Sequence, residues 1–327
     1  MGGRRTNLGL LWCTMLAIAT GIGAFIVGTE SGGWVVIAHG VVALAIVILT
    51  PWKTVIISRG MGRQRSGRAL SVSLTALVAG TLVSGIALVS GVIDSVGPLT
   101  TMQVHVGLGV ATLLATLVHL ALRPTPHRRT DLERRNLLRS GGLLAGAGML
   151  WLAIEGTLDM ASAPGGKRRF TGSHEISAPW DIPATQWIND RVQHLDADGH
   201  VVGIGSNAWA VIDLDAGEEI EATLDCTGGW YTTQLWSGIR VDRTIDTKAG
   251  RSLVVRSTTG YWRRFPVEQA ASLWLVTRVA GEPLPDGNGG PVRLVAPGRR
   301  GYWWVKWVSS IEIDDRPSWW QPPLPLA

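Results

Sequence analysis

The stretch Leu224-Asp225-Cys226-Thr227-Gly228-Gly229-Trp230-Tyr231 decides which fold the second half of this chain adopts. It holds one of the chain's two cysteines, and small, flexible residues follow that thiol directly. A soft anionic sulfur in such a setting can bind a soft metal centre closely. A lone cysteine in its domain has no disulfide partner there. The alternative is a buried structural thiol, and the rest of the chain decides between the two.

The composition indicates a two-domain membrane protein. The chain has 327 residues and a formal net charge of +5. Its basic residues fall in short blocks between apolar runs and form no basic face interleaved with aromatics, which argues against a nucleic-acid partner. We predict a five-helix transmembrane domain at 1–160 and an extracytoplasmic domain at 161–327.

Five apolar runs in the first half can each cross a bilayer. They lie at 8–28, 34–52, 70–92, 102–122 and 141–158. At a rise of about 1.5 Å per residue, each covers roughly 30 Å of hydrocarbon. Lys and Arg concentrate before the first run and in the loops after the second and fourth. The positive-inside rule therefore predicts a multi-pass cell-membrane protein with a cytoplasmic N-terminus and an extracytoplasmic C-terminal domain.

The first four runs form a weak internal repeat of two helices each. Thr20-Gly21-Ile22-Gly23 corresponds to Val83-Ser84-Gly85-Ile86, and Ala38-His39-Gly40 corresponds to Val104-His105-Val106. His39 and His105 thus lie at similar depth in facing helices. Paired imidazoles inside a bundle are typical of a b-type haem used for electron transfer. The alternative is two interfacial histidines bonded to water or a carbonyl.

A possible second haem ligand is His119, which follows His105 by fourteen residues on nearly the same helix face. The equivalent position in the second helix is Lys53, which suits the cytoplasmic interface better than a haem. The bundle resembles small membrane cytochromes b that pass electrons between quinol and a partner enzyme. Its expected partners are membrane lipid and quinone or quinol.

A twin-arginine export signal is a further hypothesis. Arg134-Arg135-Asn136-Leu137-Leu138 precedes a weakly apolar, Gly-rich run at 141–148. This pattern resembles the signal used by proteins that cross the membrane already folded around a cofactor. The alternative is ordinary positive-inside charge.

The second half has the pattern of a mixed α+β, strand-rich domain. Short β-type runs separated by Gly, Pro and Asp turns predict strands, and the segment 261–271 suggests one short helix. The predicted strands lie at 201–211, 219–225, 252–257, 272–279, 292–296 and 302–313.

Separated blocks in this half carry a resemblance. They are Thr171-Gly172-Ser173-His174-Glu175, then Cys226-Thr227-Gly228-Gly229-Trp230 with Trp236-Ser237-Gly238, then 288–298, and finally Val305-Lys306-Trp307-Val308. In this order and spacing they resemble the molybdopterin-binding domain of the sulfite oxidase superfamily over roughly residues 165–315. The likeness includes the bacterial extracytoplasmic methionine-sulfoxide reductases of that superfamily.

The resemblance implies a molybdenum-molybdopterin cofactor. Cys226 would be the protein thiolate on molybdenum, and Arg293 and Lys306 would hold the pterin's phosphate and ring system. Gly172, Ser173 and His174 would contact the pterin from the other side. Asn288 stands where relatives have histidine, so its cofactor contact differs in kind.

A second departure bears on the substrate. Sulfite oxidases follow the metal cysteine with Ala-Gly-Asn-Arg-Arg, whereas this chain has Thr227-Gly228-Gly229-Trp230-Tyr231. An aromatic wall that includes Tyr231 at a catalytic position favours a neutral oxide over a small dianion. We expect quinol to reduce the haem and the molybdenum site to reduce a sulfoxide or N-oxide. The alternatives are a dehydrogenase that feeds quinone and a haem-binding sensory protein with a degenerate outer domain.

Overall fold

The computed structural model describes two compact units, Met1–His174 and Glu175–Ala327. The described residues are 3–61, 68–93, 95–97, 99–122, 128, 131, 133–176, 182–185, 191–248 and 250–322. Met1–His174 is called the first unit and Glu175–Ala327 the second unit.

The first unit is helical. Its five long helices are α1 (Gly3–Ile26), α2 (Gly33–Met61), α3 (Arg68–Ser90), α4 (Thr101–Leu122) and α5 (Arg134–Met160), with the short strands β1 (Ser95–Val96) and β2 (Leu99–Thr100) between α3 and α4. Within the described residues, these five helices are long and apolar enough to cross a bilayer. Each contains most of one predicted apolar run. The Arg134-Arg135 pair is already helical, as the first two residues of α5.

The helices pack as two hairpins, α1 with α2 and α3 with α4, and α5 lies against α2. A small apolar core forms between them, in which Cys13, Ala45, Leu49 and Ala147 are buried. Cys13, the cysteine outside the Cys226 stretch, is thus a packed thiol of this bundle. The remaining helix surface is largely apolar and exposed, as expected for surfaces that face lipid.

A connecting segment after α5 crosses the end of the bundle where α2 begins. A Cβ on Gly165 would lie 1.9 Å from the carbonyl oxygen of Val89, at the end of α3. A Cβ on Gly33 would lie 3.0 Å from the Cβ of Phe170. Glycine is therefore required for this close approach. The segment contains the basic residues Lys167, Arg168 and Arg169.

The second unit is built from two sheets. Its elements are β3 (His174–Glu175), β4 (Val201–Ile204), β5 (Asn207–Ala210), α6 (Val211–Leu214), β6 (Glu218–Asp225), β7 (Trp230–Arg240), β8 (Ser252–Ser257), β9 (Trp262–Pro266), β10 (Trp274–Val279), β11 (Glu282–Pro283), β12 (Arg293–Val295) and β13 (Val308–Asp314). One sheet follows the path β11-β10-β7-β3, with β12 beside β10 and β6 beside β7. The other has the order β5-β4-β13-β8-β9, in which only β13 and β4 are parallel.

Two sequence-based predictions in this unit need correction. The helix expected at 261–271 is wrong, because β9 (Trp262–Pro266) pairs with β8 and a 3-10 turn at Val267–Ser272 follows it. The longest strand, β7, was not predicted. Its inward residues include Thr232, Ser237 and Gly238, so no apolar alternation marks it.

The core of the second unit lies between the sheets and is rich in tryptophan. The side chains of Trp236, Trp304 and Trp307 are almost fully buried. Trp319 and Trp320, near the C-terminus, are exposed. The predicted strand-rich fold is confirmed, and it brings the ends of β6, β7 and β12 close to the site described next.

Candidate functional site

Cys226 lies in the tight turn between β6 and β7. Its backbone N–H donates to the carbonyl of Trp230 at 2.8 Å, and its carbonyl accepts from Gly229 at 3.2 Å. Gly229 has φ +91°, a conformation that glycine adopts without steric cost. The N–H of Gly228 points at the Cys226 sulfur at 3.3 Å. A hydrogen bond of this kind stabilises a thiolate.

A second segment lies against this turn. The Trp230 indole donates to the hydroxyl of Thr185 at 3.3 Å. A Cβ on Gly228 would lie 3.1 Å from that hydroxyl and 3.1 Å from the indole nitrogen. The glycine therefore permits residues 182–185 to approach the cysteine turn.

A buried ion pair holds the end of β6. Arg300 donates to the carboxylate of Asp225 at 2.5 Å, and both side chains are buried. A Cβ on Gly301 would lie 3.1 Å from the Cα of Cys226. The pair therefore ties the loop after β12 to the residue that precedes the thiol. Sequence reasoning missed this pair, although an acid directly before the cysteine was a signal that could have revealed it.

The 3-10 turn Asp286–Asn288 organises the basic side chains. Its three consecutive carbonyls accept hydrogen bonds from the side chains of Trp307, Lys306 and Arg293, at 2.9, 2.6 and 2.9 Å in chain order. The two predicted cations, thirteen positions apart in sequence, are therefore fixed by adjacent peptide groups. Both side chains therefore lie at one turn, and their contact with a cofactor remains a prediction.

Arg293 is a buried cation. Its guanidinium carbon lies 5.8 Å from the ring centre of Trp236 and 5.5 Å from that of Trp304. Within the described residues it forms no ion pair with Asp or Glu, and its Nε has no acceptor. Burial lowers the pKa of Arg293 to about 10, and the charge of Cys226 opposes that shift. Arg293 therefore remains protonated at neutral pH.

Lys306 and Asn288 fasten the segment 182–185. Lys306 donates to the carbonyl of Thr185 at 2.9 Å, and the buried Asn288 side chain donates to the carbonyl of Ile182 at 3.1 Å. Gly289 has φ +103°, and a Cβ there would lie 2.9 Å from the Cβ of Lys306. Asn288 thus holds the segment 182–185 in position.

The other predicted contacts lie elsewhere. Tyr231 pairs with Asp225 in the β6–β7 ladder, and strand alternation places its side chain on the opposite face from Trp230. Gly172, Ser173 and His174 belong to the first unit, where Ser173 is buried and Gly172 approaches Val36. The roles of these four residues remain predictions.

The two bundle histidines have matching environments. The Nδ1 of His39 bonds the carbonyl of Ala17 at 2.9 Å, and the Nδ1 of His105 bonds the carbonyl of Thr81 at 3.0 Å. Thr20 and Ser84, the residues that precede Gly21 and Gly85, lie 3.3 and 3.2 Å from those nitrogens. A carbonyl acceptor places the hydrogen on Nδ1, so each Nε2 keeps a lone pair.

The imidazole rings of His39 and His105 approach each other. Their centres are 6.0 Å apart, and their planes are inclined by 84°. Cβ atoms on Gly21 and Gly85 would lie 3.1 and 3.0 Å from the Cε1 atoms of His39 and His105. The repeat therefore produces a pseudo-symmetric histidine pair.

His119 stands apart from this pair. It lies fourteen residues further along α4 and is partly buried. Lys53, at the matching position of α2, donates to the side chain of Asn7 at 3.0 Å. This contact gives Lys53 a role in packing α1 against α2, and the second haem remains a prediction.

With the geometry in place, known proteins offer a comparison. Residues 206–320 match the family described as "Oxidoreductase molybdopterin binding domain". The second unit contains an oxidoreductase molybdopterin-binding domain. The match includes Cys226, Arg293 and Lys306 and begins after Gly172–His174.

Mitochondrial sulfite oxidases are similar to this molybdopterin-binding domain. Those of Macaca fascicularis and Homo sapiens are each 28% identical over 176 residues, which is 40% of this chain and 32% of theirs. The chain thus spans about a third of the length of these relatives. The sulfane dehydrogenase SoxCD of Paracoccus pantotrophus gives a TM-score of 0.35 at 22% identity, covering 38% of this chain and 40% of that one.

The residues at Cys226 fit a molybdopterin. The cofactor brings a soft metal and an anionic phosphate, and the domain offers a thiol, a buried guanidinium without a carboxylate partner and an ammonium held by peptide carbonyls. Soft metals prefer thiolates, and guanidinium binds phosphate well. The buried Nε of Arg293 is an unused donor for such a group.

The buried Asp225–Arg300 pair yields a stability prediction. Asp225→Asn leaves the Arg300 guanidinium buried without its counter-charge, and breaking such a pair costs about 3–5 kcal/mol. We expect a clear loss in the melting temperature of the second unit, measured by near-ultraviolet circular dichroism on the full chain. Glu312→Gln is the matched control, since its contact with Arg256 is exposed and 3.8 Å long. Equal melting temperatures for the two variants would contradict this assignment.

Proposed function

We propose that this protein is a membrane-bound molybdenum-cofactor oxidoreductase that moves electrons between the quinone pool, a b-type haem and an oxygen-atom-transfer site. The observation that carries the proposal is the buried guanidinium of Arg293, which has no acidic partner among the described residues of a unit that also holds Cys226. A buried cation is costly unless an anion accompanies it. A thiolate and an anionic cofactor together supply that charge.

Each residue has a defined task in this proposal. Cys226 binds molybdenum through its sulfur, and the Gly228 N–H keeps that sulfur in place. Arg293 and Lys306 hold the anionic part of the pterin, and the Asp286–Asn288 turn fixes both. When bound, the molybdenum-pterin supplies two-electron chemistry coupled to transfer of an oxygen atom. The chain orients the cofactor and neutralises its charge.

The histidine pair supports a haem ligand role. A metal-binding histidine usually donates its other ring N–H to a carbonyl, as His39 and His105 do. The ring centres lie 6.0 Å apart, so the two imidazoles would hold one haem iron jointly through their Nε2 atoms. Haem held there would carry single electrons.

The membrane assignment follows from the five apolar helices and the placement of charge. The positive-inside rule supports a cytoplasmic N-terminus and an extracytoplasmic second unit. A folded cofactor domain on that side favours twin-arginine export, and Arg134 and Arg135 are the residues that would be recognised.

The charges near Cys226 favour a neutral oxide as substrate. Arg300 is ion-paired with Asp225, and Arg293 is enclosed by Trp236 and Trp304. A small dianion needs a cation that is available to it, whereas a sulfoxide or N-oxide does not. We therefore propose reduction of a sulfoxide or N-oxide.

Oxidation of a small substrate with electron delivery to quinone is the second candidate. The observation that favours it is the similarity of the second unit to sulfite oxidases. The same protein groups serve both directions, so the experiment below decides between them.

A redox titration of the full chain tests the function. We expect dithionite to produce a reduced b-type spectrum, and methionine sulfoxide or another S- or N-oxide to reoxidise it. Cys226→Ser should keep the haem spectrum and lose this reoxidation, because the metal loses its protein ligand. Cys13→Ser, which changes the buried thiol of the bundle, should behave as wild type. Reoxidation at the wild-type rate in Cys226→Ser would refute the proposal.

The haem assignment has its own prediction. Gly85→Ala should lower haem content, since a Cβ would crowd the His105 ring at 3.0 Å. Gly107→Ala, on the helix that carries His105, is the control, because a Cβ there meets nothing within 4 Å. His105→Ala should remove the reduced b-type band in absorption spectra of the purified protein. A full band in His105→Ala would disprove ligation by this residue.

A further inference from the structure

A tryptophan of α5 packs against the helix that carries His39. The Trp151 ring packs on Gly40, the residue after His39, and a Cβ on Gly40 would lie 1.9 Å from that ring. Any larger residue at position 40 would displace the indole. The contact places the Trp151 ring of α5 against the residue that follows the proposed haem ligand on α2.

An ion pair lies near this indole. The Arg168 guanidinium carbon lies 5.8 Å from the Trp151 ring centre. Arg168 also forms an ion pair with Glu155, which follows Trp151 by one helical turn on α5. The Arg168 side chain is 8% exposed and the Glu155 side chain 34% exposed. The cluster therefore runs from Gly40, the residue after His39, to a carboxylate that solvent or lipid can reach.

Such a pair is expensive in this position. Glu155 lies in the last two turns of an apolar helix that ends at Met160. Ionisable groups in membrane helices are suspected of function by default. Replacing a largely buried ion pair by apolar residues often costs nothing or stabilises a protein. Packing alone therefore does not account for an acid and a base beside Gly40 and Trp151.

We propose that Glu155, Arg168 and Trp151 form the site where a lipid-soluble hydroquinone is oxidised, or a quinone reduced. This inference rests on the proposed quinone-linked function and names its residues. The exposed part of Glu155 accepts a hydroxyl hydrogen bond from the hydroquinone ring, and Trp151 lies between that ring and His39. Arg168 holds the carboxylate in position through the ion pair.

The chemistry balances with the haem as the one-electron oxidant. A hydroquinone gives up two protons and two electrons and leaves as quinone. In each of two steps, Glu155 would take one hydroxyl proton and the haem held by His39 and His105 would accept one electron. Between the steps the haem would pass its electron to the oxygen-atom-transfer site of the proposed function, and Glu155 would release its proton to water. Arg168 pairs again with Glu155 after the carboxylate has released the proton to water. Quinone reduction is the same sequence reversed.

A stopped-flow experiment on the purified full chain tests this site. Dithionite reduction first gives the haem content. A short-tailed benzoquinol or naphthoquinol is then mixed with oxidised protein, and the rate of haem reduction is recorded. The matching quinone is mixed with reduced protein, and the rate of haem reoxidation is recorded. We expect Glu155→Gln to keep the dithionite band and to slow both reactions with quinone or quinol by about 10–100-fold, since general-base removal has effects of that order or larger. Glu155→Asp should recover part of the rate.

The control is Asp159→Asn, one turn further along α5 and exposed, which should react as wild type. A wild-type rate in Glu155→Gln overturns the inference and leaves the haem assignment intact. Loss of the dithionite band in Glu155→Gln also overturns it, because the pair would then support the haem fold. If wild-type haem responds to dithionite but to neither quinol nor quinone, the quinone link of the proposed function fails as well.

Discussion

One electrostatic constraint governs the second unit: the guanidinium of Arg293 is buried beside the rings of Trp236 and Trp304, with no acidic partner among the described residues. Desolvation disfavours this cation, so the surrounding structure must compensate. The carbonyl of Asn288 does so in part. The sheets place the start of β12, which carries Arg293, close to the β6–β7 turn, which carries Cys226. In the proposed function, an anionic cofactor at this place provides the remaining negative charge that offsets the desolvation of Arg293.

The first unit repeats one device in two hairpins. In each, a histidine on the second helix bonds a carbonyl and meets a hydroxyl and a glycine of the first helix, as His39 does with Thr20 and Gly21. The glycine gives the ring its room, and the carbonyl sets its tautomer. Repetition of such a hairpin places two imidazoles in matching environments. The α5 helix breaks the symmetry by adding Trp151 to one side only.

Local patterns predicted much of this structure. Long apolar runs revealed α1 to α5, and β-branched runs such as 252–257 revealed their strands, because one physical signal dominates in each. Cys226, Arg293 and Lys306 were found through a resemblance, and the structure does bring both cations to one turn. The strand β7 and the Asp225–Arg300 pair were missed, since polar inward residues and contacts across 75 positions leave no periodic trace. The 261–271 helix was wrong because pairing with β8 outweighs helix propensity there.

The central claim is that the Cys226 sulfur binds molybdenum beside Arg293. X-ray absorption at the molybdenum edge, on wild type and Cys226→Ser loaded in a host that makes the cofactor, tests it most directly. The account predicts that the variant loses one sulfur from the nearest neighbours of the metal while its pterin sulfurs remain. Identical sulfur coordination in the two proteins, or no molybdenum in the wild type, would contradict it.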